Sequence, residues 1–502
     1  MNRLLFRLMA PIALPVMVAV GEVSAISGPL LPTPLDTIDI RLENAILLGL
    51  ENNPTILVQK LAPELSQAAV KQQKGAFDPV VTANVQRSEN KSQRQLGTNA
   101  NPVDLTTTQT SFGAGISQSL PTGTDVAITT SMSGSISSLY TDQYAGSIGM
   151  TVNQSLLRGF GLATNLASVR SAQIDVTISE SELKGVAEAV TATIEKAYWD
   201  LYLTAEMMRI QAASLALAEQ QFRETEERVK VGNLPDLELA AVAAESAARK
   251  SQLIDASSQH EQARLKIIYL IYPDEIGVWS RYPLPVDPPE LPADSLDPVT
   301  IHAALSLKYR PDLIQARLNL KKQELVVVQT RNGLLPKLDL FISLGQSTYA
   351  QTFSSATPDF SSPFYQVSGG LNFSLPVPNR QSAAQLERVR VSRRQQELAV
   401  SNMEKQIQLD IRSKYLEVLR TRQQVVATNV TRQLQEDKLS AEQEKFRVGK
   451  STNILVLQAQ RDFTSSQLDE ARSVVGYLNA LVELYLAEGT LLERRGITAF
   501  GS

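Results

Sequence analysis

Two stretches of this chain carry one and the same break in a helical pattern: ERVKVGNLPDLELAAVA from Glu227 and EKFRVGKSTNILVLQAQ from Glu444. The breaks fall at Gly232 and Gly449, an offset of 217 (449 − 232). Ile194 and Ile411, and Tyr198 and Tyr415, keep that offset. Earlier in each copy the offset is 257: Asn53-Pro54-Thr55 aligns with Arg310-Pro311-Asp312, and Asp78-Pro79 with Leu335-Pro336. A chain that repeats helix, strands and long helical hairpin in this order is built from a duplicated supersecondary unit. The change of offset leaves 257 − 217 = 40 extra residues in the strand region of the first copy.

The helical parts carry a seven-residue ladder. It runs Ile194, Leu201, Met208, Leu215, Phe222, Val229 in the first copy, and Ile411, Val418, Val425, Arg432, Leu439, Phe446 in the second. Apolar residues held at that spacing imply left-handed coiled-coil packing. Glycine accepts the left-handed conformation that ends a helix, so Gly232 and Gly449 end these helices. Pro235 and Ser451 suit the start of the next. The return helix of the first copy is rich in small residues, among them Ala240, Ala241, Ala243, Ala244, Ala247 and Ala248, which let a neighbour approach closely. Each Val-Gly break is therefore the tip of an antiparallel hairpin. Residues 165–231 make a helix roughly 100 Å long at about 1.5 Å per residue. The 36 residues from Asp39 to Lys74 and the 37 from Pro235 to Ile271 stack end to end along it.

The strand regions alternate with period two. Tyr365, Val367, Leu371, Phe373 and Leu375 interleave with Gln366, Ser368, Asn372 and Ser374. Ile148, Met150 and Val152 alternate with Ser147, Thr151 and Asn153, and Val81, Val85, Leu338, Leu340, Ile342 and Leu344 fit the scheme. One apolar face and one polar or small face is the pattern of a transmembrane barrel, with lipid outside and water inside. Ser88 to Thr110 and Tyr349 to Pro363 are rich in Ser, Thr, Asn and Gln, and read as extracellular loops.

Residues 1–25 read as a secretory signal: Arg3 and Arg7, an apolar run from Leu8 to Val20, and small residues at Val23-Ser24-Ala25. With 20% charged residues and a net charge of −4, nothing marks a nucleic-acid binder. There is no cysteine and there are two histidines, so disulfides, thiolate metal sites and cysteine nucleophiles are excluded. Asp200, Glu224, Glu226 and Glu227 lie on solvated helix faces beside Lys and Arg, and no paired catalytic constellation is present. The expectation is a protein without enzymatic activity, cofactor or metal. A periplasmic coiled-coil scaffold without channel activity explains the heptads but not the matched alternating strands.

The expected organisation is a signal peptide (1–25), a first repeat (26–271), a Pro-rich linker at mid-height of the helices (272–300), a second repeat (301–490) and a C-terminal tail (491–502). The linker holds seven prolines, which exclude a helix or a central strand.

In FRVGKSTNILVLQAQ and its twin ERVKVGNLPDLELAAV, in AYWDLYL and KYLEVL, in NQSLLRG after a strand, and in the duplicated layout, the chain resembles the outer-membrane efflux proteins, the TolC-like channels. The resemblance covers essentially the whole mature chain. It implies an α+β membrane protein in the outer membrane of a Gram-negative bacterium, with a large periplasmic portion. It implies a homotrimer whose protomers each give about four strands to a shared twelve-stranded barrel, continued by a coiled-coil α-helical barrel. It implies a passive exit duct for tripartite efflux or type I secretion, linked to an inner-membrane pump by a periplasmic adaptor (membrane fusion protein). The adaptor-docking tips are then Val231, Gly232, Asn233, Val448, Gly449 and Lys450. The periplasmic entrance is Asp236, Glu238, Leu455 and Gln458, uncharged at the second tip where the family often has acidic residues. TSFGAGISQSLPTGTDVAITTSMSG, inside the 40 extra residues, forms an additional hairpin turning at Pro121-Thr122-Gly123, which either extends the barrel strands or lies outside them.

Overall fold

A computed structural model describes residues 37–95, 97–98, 101–232, 234–272, 277–291, 296–357 and 363–497. The expected signal peptide lies outside them.

Strand β1 (Thr37–Ile40) leads into α1 (Leu42–Asn52) and α2 (Pro54–Lys74). The expected continuous segment is thus broken at Asn53, which has extended backbone (ψ 120°) and whose side chain accepts from the Thr55 amide at 2.9 Å. Proline at the first helical position disfavours helical backbone in the residue before it. The second copy breaks identically at Arg310, between α6 (Val299–Tyr309) and α7 (Pro311–Gly333).

Four strands follow α2: β2 (Val80–Arg94), β3 (Val103–Leu120), β4 (Thr124–Ser137) and β5 (Gln143–Ser155). A short turn of helix, α3 (Leu162–Asn165), opens the long α4 (Ala167–Lys230), and α5 (Asp236–Ile271) returns along it. Within the linker, β6 (Tyr282–Pro285) pairs parallel with β1. With only one partner, β6 tolerates Pro283 and Pro285. After α7 come β7 (Lys337–Ala350), β8 (Tyr365–Ser374), α8 (Arg380–Arg447), α9 (Asn453–Glu488) and the short α10 (Leu491–Arg494).

One antiparallel sheet holds six strands in the order β2-β3-β4-β5-β7-β8. This corrects the expectation of about four: the inserted residues put β3 and β4 between β2 and β5. It also shortens the expected loop at Ser88–Thr110, most of which continues the ladder from Arg94↔Val103 inward. Polar side chains there mark strand outside the apolar band rather than irregular chain.

The register sorts the side chains. Val81, Val85, Phe112, Ile116, Ile128, Met150, Ile342, Leu344, Val367, Leu371 and Phe373 share one face and are all exposed. The opposite face carries Asn84, Gln86, Ser111, Ser131, Ser147, Thr151, Ser343, Ser368 and Asn372. Hydroxyls pair across strands on that face, Ser131 with Ser147 at 2.8 Å and Thr151 with Ser343 at 3.4 Å. No helix among the described residues is long and apolar enough to cross a membrane. An exposed apolar band on an antiparallel sheet is the alternative way to meet lipid.

The helices bury the seven-residue ladders at their upper ends. Ile194, Leu201, Ile411 and Val418 are 0–1% exposed. Ile194 and Leu201 join Ile46, Leu50, Ile56, Ile267 and Ile271 in one core, while Ile411 and Val418 join Leu313, Leu481 and Leu484 in a second. The charged interruption is accommodated by pairing: Arg432 meets Glu470 of α9 at 2.6 Å. Glu483 of α9 ties the two long helices together through Lys196 of α4 and, at 2.9 Å, Lys414 of α8.

Near this junction Glu188 of α4 is buried, and its Oε1 has no hydrogen-bond partner. Burial pushes its carboxyl up from 4.5 to about 7; Lys184 opposes this and Glu493 adds to it. A raised acid stabilises the fold fully below about 4.5, and that contribution is lost as the pH rises through about 7. Glu188→Gln is therefore expected to stabilise the protein by up to about 3 kcal/mol at pH 8 and hardly at all at pH 4.5. Thermal unfolding followed by circular dichroism at the two pH values measures this. Equal effects at both would locate the ionised group elsewhere.

Candidate functional site: the paired helical tips

Both tips are built alike. At the second, the Gly449 amide donates to the Phe446 carbonyl at 3.0 Å and the Lys450 amide to Lys445 at 2.8 Å. This double closure satisfies carbonyls that the helix end leaves unpaired. At the first, the Gly232 amide donates to Val229 at 2.9 Å. Gly232 has φ +74° and Gly449 φ +76°, the left-handed region that a Cβ disfavours. Asn233 lies outside the described residues. Ser451 does not cap the next helix as its position suggests: its hydroxyl donates back to Glu442 at 2.8 Å, and Thr452 is the residue before α9.

Val231 and Val448 are exposed at matched positions, as are Leu237 and Ile454 (237 + 217 = 454). Leu237 is 82% exposed, and Lys450 is exposed beside these apolar side chains. Four apolar side chains in water at the far end of two hairpins form a repeated surface patch.

The residues singled out for the entrance are only partly brought together. Asp236 and Glu238 occupy the first turn of α5, where negative charge favours the positive end of the helix dipole. Glu238 reaches α9, accepting from the Asn453 side-chain Nδ2 at 3.4 Å. Leu455 and Gln458 are exposed on the first turns of α9.

A further link joins these return helices one to two turns higher. Glu245 of α5 is buried and accepts from Arg249 Nε at 2.8 Å and from Arg461 Nε of α9 at 2.9 Å. Burial alone raises the Glu245 carboxyl, but Arg461 and Arg249 together outweigh it and hold the group below its ordinary value. Sequence reasoning missed this cluster. The signal was an i,i+4 Glu–Arg pair inside an alanine-rich helix. Arg228 of α4 also lies over the Phe446 ring of α8, 5.7 Å from its centre, so the descending helices meet at the tip as well.

No group of three or more His, Asp or Glu side chains gathers as a metal site among the described residues. Nothing at the tips resembles an acid–base or nucleophilic constellation. What they present is exposed apolar side chains and links between helices.

Six antiparallel strands with an apolar outer face, continued by two helical hairpins, define the class of outer-membrane channels. Residues 303–490 match the family described as outer membrane efflux protein. The pyoverdine export outer membrane protein OpmQ of Pseudomonas putida is 25% identical over 321 residues, 60% of this chain and 63% of that protein. The alignment thus spans less than two thirds of that relative. Among solved structures, the outer membrane channel CmeC of Campylobacter jejuni superposes with a TM-score of 0.64 at 15% identity, over 90% of this chain and 86% of its own. The outer membrane channel MtrE of Neisseria gonorrhoeae, in its open state, gives 0.63 at 18%, over 90% and 89%. At such identities these likenesses are of fold. The second repeat thus matches the outer membrane efflux protein family, and the chain as a whole shares the fold of these outer membrane channels.

An added Cβ at Gly232 or Gly449 meets no atom within 4 Å, so a substitution there costs only the backbone strain. That strain is about 1–2 kcal/mol. Gly449→Ala is expected to speed amide hydrogen exchange over residues 446–452 by roughly 5- to 30-fold. Exchange at Val418 and Leu484, deep in the core, should not change. An unchanged tip would mean that φ at 449 is not locked.

Proposed function

We propose that this chain is the passive outer-membrane exit duct of a tripartite export system. Three copies form the duct, an adaptor binds the tips, and an inner-membrane pump supplies the energy. The observation that carries the reading is the union, in one chain, of a sheet with an exposed apolar face and two hairpins whose longer helices, α4 and α8, are each roughly 100 Å long. One protomer supplies two similar staves, so three copies present six similar tips around a ring. The matched exposed side chains Val231, Leu237, Val448 and Ile454 give an adaptor the same apolar foothold at each tip. The proposed division is a signal peptide (1–25), repeats at 26–271 and 301–490 and a linker at 272–300. No step of the reading calls for catalysis or a cofactor.

OpmQ, by its description, exports pyoverdine. Pyoverdine is therefore the first cargo to test, on a likeness that covers 60% of the chain.

The mature protein should fractionate with the outer membrane and cross-link as a trimer. Deleting it should leave the pyoverdine cargo inside the cell, and Gly232→Val with Gly449→Val should do the same without lowering the amount of trimer. A soluble monomer would sink the duct reading. Normal export by the double variant would remove the tips as docking sites.

The entrance gives a second expectation. Leu455 and Gln458 carry no charge, so closure rests on packing and hydrogen bonding rather than on a carboxylate ring. Leu455→Gly should raise the resting conductance in planar bilayers, and trivalent cations added from the periplasmic side should block wild type only weakly. Tight block that persists after neutralising Asp236 and Glu238 would locate the constriction elsewhere.

A further inference from the structure

The β3–β4 hairpin has no counterpart in the second repeat, and its strands carry the same division of faces as the other four. On β3, Phe112 and Ile116 lie on the apolar face and Ser111 and Ser117 on the polar one. On β4, Val126, Ile128 and Met132 oppose Thr129, Ser131 and Ser133. A hairpin folded over the mouth or out in water has no reason to hold an apolar band in register with its neighbours. β3 is paired along its length with β2, and β4 with β5.

The inner turn of the hairpin is fastened where sheet meets helices. Gly123 has φ +88°, and a Cβ there would stand 2.3 Å from the Gly159 carbonyl oxygen. The Ser155 amide donates to the Gly123 carbonyl at 2.9 Å. The Asn165 side chain donates to the carbonyls of Pro121, at 3.0 Å, and Gly159, at 2.8 Å. Gly159, in turn, donates its amide to the Asn332 side chain at the end of α7. The hairpin is thereby tied to both repeats.

The strand count also settles the polarity of the edges. β2 and β8 bound the sheet, each with one open side among the described residues. Strands alternate in direction across the sheet, so with six strands the two edges run antiparallel. β2 of one copy therefore meets β8 of the next in the same antiparallel sense as every pair within the sheet.

We propose that the β3–β4 hairpin is part of the channel wall, so that three copies close one barrel of eighteen strands (3 × 6), β2 of each pairing with β8 of its neighbour. This rests on the trimeric duct reading. Strands about 4.8 Å apart, tilted by about 40°, give a backbone diameter of about 36 Å for eighteen strands against about 24 Å for twelve. Barrels of that strand number hold an aqueous channel. The wall facing it is mostly hydroxyl, amide and small side chains, interrupted by Leu105, Phe341 and Tyr349. Its charges, Asp125, Lys337 and Asp339, sit at the helical end of the strands, and Arg94 at the outer end. Such a mouth passes bulky hydrophilic cargo without sorting it by charge, and the sizing step falls to the helical entrance.

The chain has no cysteine, so single cysteines report cleanly. Ser131→Cys and Ile128→Cys lie three residues apart on β4, on opposite faces. In purified full-length protein in lipid nanodiscs, a small hydrophilic maleimide should label Ser131→Cys more than about tenfold faster than Ile128→Cys, which lipid shields. Electron cryomicroscopy of the same trimers should count eighteen strands. A trimer of twelve strands with the hairpin outside, and equal labelling of both cysteines, would overturn this inference and leave the duct reading standing. A monomer, or a protein that does not insert, would overturn the duct reading itself.

Discussion

Lipid supplies no hydrogen bonds, and every backbone N–H and C=O within the hydrocarbon layer must find its partner in protein. That constraint governs the sheet of this chain. Within the six-stranded sheet β3, β4, β5 and β7 are each paired on both sides, and only β2 and β8 leave a row of backbone groups open among the described residues. An isolated protomer inserted in a bilayer would expose both rows at a cost of several kcal/mol per group. Under the proposed trimer the two rows satisfy each other. The barrel is then an assembly property, and the exposed apolar band that looks like a liability in one chain becomes the lipid contact of three.

The helices obey a different rule, because they stand in water. Their backbone is satisfied internally, and what holds them together is the ladder. It is fully buried at mid-height, at Ile194, Leu201, Ile411 and Val418, only partly buried toward the first tip, at Met208, Leu215 and Phe222, and still buried toward the second at Leu439. Charged links add to this packing along the hairpins: Arg432 with Glu470, Lys438 with Asp462, Glu245 with Arg461. Exposed ion pairs contribute little, typically 0–1 kcal/mol each.

Much of this was legible in the residues. The duplication announced itself through two proline frames and two glycines, and the strand pattern at Tyr365–Phe373 and Ile148–Val152 gave the faces that the register carries. The hairpin tips were legible because Gly232 and Gly449 interrupt an otherwise unbroken pattern and need positive φ. Two things were not. A period-two hairpin states its own faces but not its neighbours, so nothing in residues 110–134 told whether β3 and β4 enter the sheet. Likewise, Ser88–Arg94 and Thr106–Thr110 are polar on both sides and looked like loop, though they are strand continuing beyond the apolar band. Alternation detects strands that face lipid, and it fails where a strand stands in water on both faces.

The buried acid–base links were invisible for a related reason. Glu245, Arg249 and Arg461 read in the sequence as solvated helix charges, and only the approach of α5 to α9 buries the carboxylate between two guanidiniums. Removing one partner of such a cluster leaves charge that burial penalises, and replacing all with apolar side chains of like volume is often neutral. The cluster is therefore weak as a source of stability and strong as a selector of arrangement. It favours the state in which the two return helices lie side by side and disfavours any in which they part without water reaching Glu245. Any splaying of the tips must break or hydrate this link, which couples the surface where an adaptor would bind to the spacing of the helices that frame the passage.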